Sequence, residues 1–171
     1  REYERGMFSS ILTGIEALPG GIDAVFVLPV DIPLVRPRTL RALGECLGDA
    51  PVLYPSFRGE RGHPPLIAAA CLPFIKAWSG EQGLRGALDT LEARLGAQDV
   101  PVADANILFD LDTQEDYREA LRRVRVRHRP SVEEALALLE INGVNERGMA
   151  HARAVARVAL ALAKALGEAR G

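Results

Sequence analysis

The chain has 171 residues, 48% hydrophobic and 26% charged, the make-up of a folded protein of one ordinary domain or one domain with a small appendage. Its net charge of −2 argues against a general nucleic-acid binder or a membrane-surface protein, and no apolar run approaches the roughly 18 residues of a membrane span. Cys46 and Cys71 are isolated, without metal-type spacing, and the opening residues carry no signal-peptide pattern, which together predict a reducing, cytoplasmic setting. The first residue is Arg1 rather than Met, and further sequence upstream is expected.

Residues 2–5 are polar. Over 6–18, GMFSSILTGIEAL, the residues Ile11, Ile15 and Leu18 share a stripe with Met7 behind them, which predicts a helix. Ser9 or Ser10 caps its start, and Pro19-Gly20-Gly21 stops it. An apolar run from Ala24 to Val30, broken by Pro29, enters Asp31 and is ended by Pro33; this reads as a short buried strand of a parallel sheet. A helix follows over 36–47. Strand, acidic turn and helix make half of a βαβ unit, and ligands bind at the carboxyl ends of such strands. Asp31 on that rim suits a hard cation such as Mg²⁺. An Asp there also serves to cap the next helix or fix a turn, and the sequence leaves both roles open.

After a turn at Gly48-Asp49, residues 51–56 predict a second strand and 57–63, FRGERGH, a polar loop. Residues 64–70 predict a third strand, which the prolines confine to an edge or a strand start. Helical pieces over 72–78 and 83–95 flank SGEQG. Residues 99–103 and 107–109 read as short strands, and Thr113, with Asp116 three residues on, caps another helix. The run RRVRVRHRP over 122–130 carries five arginines and His128. It reads as a solvated helix end and linker closed by Pro130, against a phosphate grip as the alternative. Ser131 caps a helix over 132–141, with Glu133 and Glu134 in its first turn; Asn142-Gly143 closes it, and a last helix covers 147–166. The order of elements predicts an α/β fold with a mostly parallel sheet flanked by helices over 1–124, a linker over 125–130, and an all-α appendage over 131–171.

Five stretches in order carry a resemblance: GMFSSILTGIEAL, VLPVDIPLV, GERGHPPLI, GEQGLRGAL and NILFDLDTQEDY. Together, over about residues 6–117, they resemble the molybdenum cofactor cytidylyltransferases, members of the nucleotidyltransferase superfamily of Rossmann-like, nucleotide-diphospho-sugar-transferase-like fold. Three departures stand out. The family's Gly-rich loop with its Arg and Lys, which cradles the triphosphate, is not in the chain, so this stretch alone is expected to be inactive. Glu81 stands where relatives usually have Asp, and Leu84 where they usually have Ala.

The resemblance implies transfer of a nucleoside monophosphate from CTP to a molybdopterin-type cofactor, with pyrophosphate leaving and Mg²⁺ assisting. A molybdoenzyme is a further implied partner; nucleic acid and membrane are not. Charge builds on phosphoryl oxygens in such a reaction, so positioning and cationic stabilisation do most of the work. Two carboxylates at neighbouring strand ends suffice for Mg²⁺, which keeps its waters and phosphates. Asp31 is the first. The second falls in Asp110-Leu111-Asp112, where alignment favours Asp112 and side-chain alternation keeps Asp110 open; helix capping is the structural alternative. Ser10, followed by Gly14, aligns with a family serine near the nucleobase. Arg61 and His63, in the Gly-His-Pro-like loop, could reach an anionic pterin phosphate, although a His beside Pro is often a turn residue. Arg85, at a turn into a helix, is a candidate substrate contact, and a surface ion pair is the simpler role. Other sugar- or polyol-phosphate cytidylyl- or guanylyltransferases, and an inactive binding or regulatory module, are the competing readings.

His151 shares a stripe with Val155, Val158, Leu162 and Leu166, which predicts that it faces inward. HARAVARVALALAKAL is similar to the first metal-binding helix of HD-type phosphohydrolases, in which such a His holds a divalent metal. One His makes no metal site by itself. The remaining ligands are expected downstream; otherwise the stripe is buried in an oligomer or His151 is a hydrogen-bonded core residue.

Overall fold

The computed structural model describes residues 6–48, 50–79 and 81–168; Asp49, Gly80 and the expectations placed on residues 1–5 lie outside them. The chain divides into two compact units, Arg1–Arg129 and Pro130–Gly171.

In the first unit, α1 (Met7–Glu16) leads to β1 (Ala24–Phe26), α2 (Pro37–Glu45), β2 (Val52–Phe57), β3 (Glu60–Arg61) and β4 (Leu66–Ala68). Then come α3 (Leu72–Lys76), α4 (Gly83–Leu95), β5 (Gln98–Pro101), a 3₁₀ turn (Ala105–Leu108) and α5 (Gln114–Val126). The five strands form one sheet in the order β1-β4-β2-β3, with β5 also paired to β2.

The expected mostly parallel sheet is not found. Among the described residues, β1 with β4, β4 with β2, and β2 with β3 are antiparallel, and only β2 with β5 is parallel. The reason is connection length. A parallel crossover takes a dozen or more residues, whereas only Arg58-Gly59 separates β2 from β3 and only residues 62–65 separate β3 from β4. The stretch expected to be a loop is a hairpin, with Arg58 and Gly59 both at positive φ (54° and 88°), the backbone of a two-residue turn that matches strand twist. The one parallel neighbour, β5, is reached through α3 and α4. β4 lies between β1 and β2 and runs against both, so β1, β2 and β5 still point the same way. Their carboxyl ends share one rim with the segment that enters β4.

Side-chain alternation divides the core between the two faces of the sheet. Val52 and its partner Ile67 join Ile15, Ile75, Ala87, Leu88 and Leu91 in one cluster under α1, α3 and α4. Leu53 and its partner Leu66 point the other way and are also buried, as is Leu43 of α2. Each such side chain contributes about 1.5–3 kcal/mol by leaving water. In α1 the buried face is Phe8, Ile11, Leu12 and Ile15; the expected Ile11 and Ile15 lie on it, whereas Leu18 and Met7, the latter 71% exposed, do not. Gly6 is the N-cap of α1, and Ser9 donates to the Gly6 carbonyl instead of capping. β1 is shorter than expected, and Val30 beyond it is 95% exposed. In place of the expected strand over 107–109, Ile107 and Leu108 belong to the 3₁₀ turn and Phe109 is its C-cap.

The second unit holds α6 (Val132–Ile141) and α7 (Glu146–Glu168). Ser131 and Glu134 make a reciprocal capping box at the start of α6 (2.9 and 3.1 Å). The inward position expected for His151 is not found. His151 is exposed, and Val155, Val158, Leu162 and Leu166 keep more than half of their surface. α7 buries Met149 instead, two residues and so roughly 200° around the helix from His151. Periodicity identified the stripe but not which face this unit covers. Among the described residues no helix is long and apolar enough to cross a membrane.

Candidate functional site

After β1 the chain makes a turn closed by the Ile32 N–H on the Pro29 carbonyl (3.2 Å). Ile32 is buried and anchors it, while Val30 and Asp31 project outward. The helix-capping alternative for Asp31 is removed, because α2 takes its N-terminal acceptor from elsewhere. The Arg36 N–H and the Thr39 hydroxyl both donate to Asp104 Oδ2, at 2.8 and 2.7 Å.

The second loop leaves β5 with the Val102 N–H on the Ser56 carbonyl (2.8 Å), passes the fully buried Asp104, and turns through Ala105–Leu108 into Phe109 and Asp110. The Leu111 N–H then donates to the Asp31 carbonyl at 2.8 Å. This bond sets the stretch Asp110-Leu111-Asp112 against the Asp31 turn. Asp110 and Asp112, the neighbours of Leu111, are both exposed. Capping of α5 is done by Thr113 and Asp116, which form a reciprocal box (2.8 and 3.2 Å), so Asp112 is not the N-cap residue.

His63 reaches the same rim from the entry to β4. The Gly62 N–H donates to Pro55 O and the His63 N–H to Ile107 O, both at 2.9 Å. Gly62 is required here, since a Cβ would lie 2.4 Å from the Ile107 carbonyl oxygen. The residue is exposed overall, yet partial burial of the ring lowers the imidazole pKa, while the carboxylates of Asp31 and then Asp110 pull it upward. Both aspartates therefore act on His63. The structure brings together Asp31, His63 and Asp110, with Asp112 one residue beyond Leu111.

Other expected site residues lie apart from this group. Arg61, on β3, is held by Glu92 through two hydrogen bonds (2.8 and 2.9 Å) and by Asp99 (2.6 Å), and sits 4.7 Å from the centroid of the Tyr54 ring. Its charge is spent within the fold. Arg85 is 85% exposed and pairs with Asp89 at 3.9 Å, one turn along α4, the simpler of its two roles. Ser10 and Gly14 are exposed on α1. The turn before α4 is tightened by Gly86, whose Cβ would meet the Glu81 carbonyl oxygen at 2.4 Å, and by the Trp78 indole N–H on the same oxygen (2.9 Å).

No sequence pattern singles out Asp104, Thr39, Asn106 or Arg123, which are joined by hydrogen bonds behind the two loops. Asp104 Oδ1 accepts from the Asn106 backbone and side-chain amides (3.2 and 2.9 Å). Arg123 donates to Asn106 Oδ1 (3.2 Å) and lies over Phe109. The only local signal was Asp-Ala-Asn itself, a spacing suited to an Asx turn.

The donor set bears on which cation fits. Among the described residues no group of three or more His, Cys, Asp or Glu is placed to hold a metal ion. Two outward carboxylates on adjoining turns match the partial protein shell of Mg²⁺, which fills its octahedron with water and phosphate oxygens, rather than a closed protein cage.

Residues 1–96 match the MobA-like NTP transferase domain. The chain belongs to that family. It is 31% identical over 118 residues to the purine catabolism protein PucB of Bacillus subtilis (strain 168), an alignment covering 68% of this chain and 57% of that protein. The crystal structure of a Mycobacterium tuberculosis Rv0371c homologue from Mycobacterium sp. strain JC1 superposes with a TM-score of 0.58 at 21% identity, over 71% of this chain and 59% of that one; at this identity the likeness speaks to the fold. The chain thus spans somewhat under two thirds of the length of each of these relatives. The nucleotidyltransferase part of the expectation holds at the level of the family.

Proposed function

We propose that the first unit contributes, within the full-length protein, to nucleotidyl transfer from CTP to a molybdopterin-type cofactor with release of pyrophosphate, and that Asp31 together with Asp110 or Asp112 forms its carboxylate pair. The observation that carries the reading is the Leu111 N–H to Asp31 carbonyl bond, because it sets two carboxylate-bearing turns side by side at a rim shared by co-directional strands. Mg²⁺ held there supplies charge neutralisation for the phosphates. The chain's own part is to fix the two carboxylates that would hold the cation, and to offer His63 as a hydrogen-bonding group beside the phosphates. His63 is favoured over Arg61 for this role, since Arg61 is committed to Glu92 and Asp99.

The full-length protein, given all four nucleoside triphosphates in competition with a molybdopterin-type acceptor, is expected to consume CTP. A clear preference for GTP moves the assignment to a guanylyltransferase, and no turnover with any nucleotide supports a binding or regulatory module. The reading of the second unit as the opening of an HD-type metal-binding domain is a separate proposal that rests on the sequence resemblance. Equal metal content in full-length wild type and His151→Ala removes it.

A further inference from the structure

Asp104 is fully buried and has no outward face with which to meet a substrate. A carboxylate accepts about four hydrogen bonds, and here the Arg36 N–H, the Thr39 hydroxyl and the two Asn106 amides supply four. The Arg36 guanidinium adds an ion pair at 3.5 Å. These donors come from two places. Arg36 and Thr39 open α2, the element that directly follows the Asp31 turn. Asn106 lies in the 3₁₀ turn, four residues before Asp110. One buried anion therefore ties together the downstream end of one carboxylate-bearing loop and the upstream end of the other, and the Leu111–Asp31 bond closes the ring between them. A charge-assisted hydrogen bond is roughly twice as strong as a neutral one, so this tie resists stretching more than ordinary turn bonds do.

We propose that Asp104 is a positioning residue that fixes the spacing between Asp31 and the Asp110–Asp112 stretch. It acts through Arg36 and Thr39 on one side and Asn106 on the other, without touching substrate. The catalytic meaning of that spacing rests on the reading of Asp31 and its partner as the carboxylate pair; the coupling itself does not.

Asp104→Ala leaves four donors without their buried acceptor and is expected to unfold the protein. The test therefore uses Thr39→Val, which removes one donor and keeps the side-chain shape, and Asn106→Ala, both in the full-length protein. Hydrogen exchange is followed at the Leu111 amide, with the Ile67 amide in the sheet as reference. In both variants the Leu111 amide is expected to exchange about tenfold faster than in wild type while Ile67 is unchanged, the mark of a local opening rather than a global one. Mn²⁺ alone, titrated by electron paramagnetic resonance, is expected to bind more weakly by a similar factor. Unchanged exchange at Leu111 in folded variants overturns the proposal, as does equal acceleration at Leu111 and Ile67. A wild-type protein that binds no Mn²⁺ overturns the carboxylate-pair reading, and the Leu111 measurement, which needs no metal, still decides the coupling.

Discussion

The guanidinium of Arg123 lies 3.8 Å from the centroid of the Phe109 ring, so α5 braces the residue immediately before Asp110. The same side chain donates to Asn106 Oδ1 and to Glu119, and that hydrogen bond holds the Glu119 carboxyl below its ordinary pKa. Arg123→Ala removes a cation–π contact and a link to the turn that carries Asp110. The expected loss is about 1–2 kcal/mol, because the site is part-exposed. Arg123→Lys should not restore it, since an ammonium cannot stack on the ring and fork to two acceptors at once. Thermal denaturation checks this, and a lysine variant with the wild-type Tm contradicts it.

Gly62→Ala is expected to be among the most damaging single-methyl additions in the chain. The new Cβ would lie 2.4 Å from the Ile107 carbonyl oxygen and 2.8 Å from its carbonyl carbon. Backbone atoms on both sides must move, which costs roughly 1–3 kcal/mol or more. The hydrogen bond from the His63 N–H to that carbonyl is displaced with them. Urea denaturation should show a lowered midpoint, whereas Gly44→Ala, at a helix position where a Cβ meets nothing within 4 Å, should be neutral or slightly stabilising. Equal effects at the two positions would contradict the close-approach argument.

Tyr54 gives a pH test of the Arg61 cluster. Its phenol is pushed up to about 12, first by burial and then by the charge of Glu92. A folded-state pKa above the unfolded value means that the unfolded chain loses this proton first. Stability from Tyr54 is therefore complete below about pH 10 and falls as the pH rises toward 12. The contribution is about 1 kcal/mol once solvent screening at a half-buried site is allowed for. Between pH 9 and about 12, the urea midpoint of wild type should fall relative to that of Tyr54→Phe; parallel curves would contradict the assignment.

What the sequence could reveal followed the range of the forces involved. α4 was legible to its ends, residues 83–95, because a 13-residue helical pattern lies between glycines. The Thr113–Asp116 box and the Ser131 cap were legible because capping is local, made between residues three apart. The β2–β3 hairpin was not, since β3 has only two residues and the turn puts Arg58, not a glycine, at positive φ. Missing it turned a mostly antiparallel sheet into an expected parallel one. At the site, Asp31 and the Asp110-Leu111-Asp112 stretch drew attention through resemblance. The bonds that arrange them run from Asp104 to residues 65 and 68 positions away, which no local pattern reports.

On the proposed reading, the rim carboxylates serve nucleotidyl transfer rather than hold the fold. Asp31 is exposed, and its contact with Leu111 is made by the backbone, so Asp31→Ala keeps that bond. The direct measurement is Mg²⁺-dependent pyrophosphate release from CTP, with the molybdopterin-type acceptor present to take the cytidylyl group, by full-length wild type and Asp31→Ala, with thermal denaturation alongside. Asp31→Ala is expected to lower the rate at least about a hundredfold, with a change in stability within about 0.5 kcal/mol, as for a surface residue. Wild-type turnover by a folded Asp31→Ala protein would contradict it.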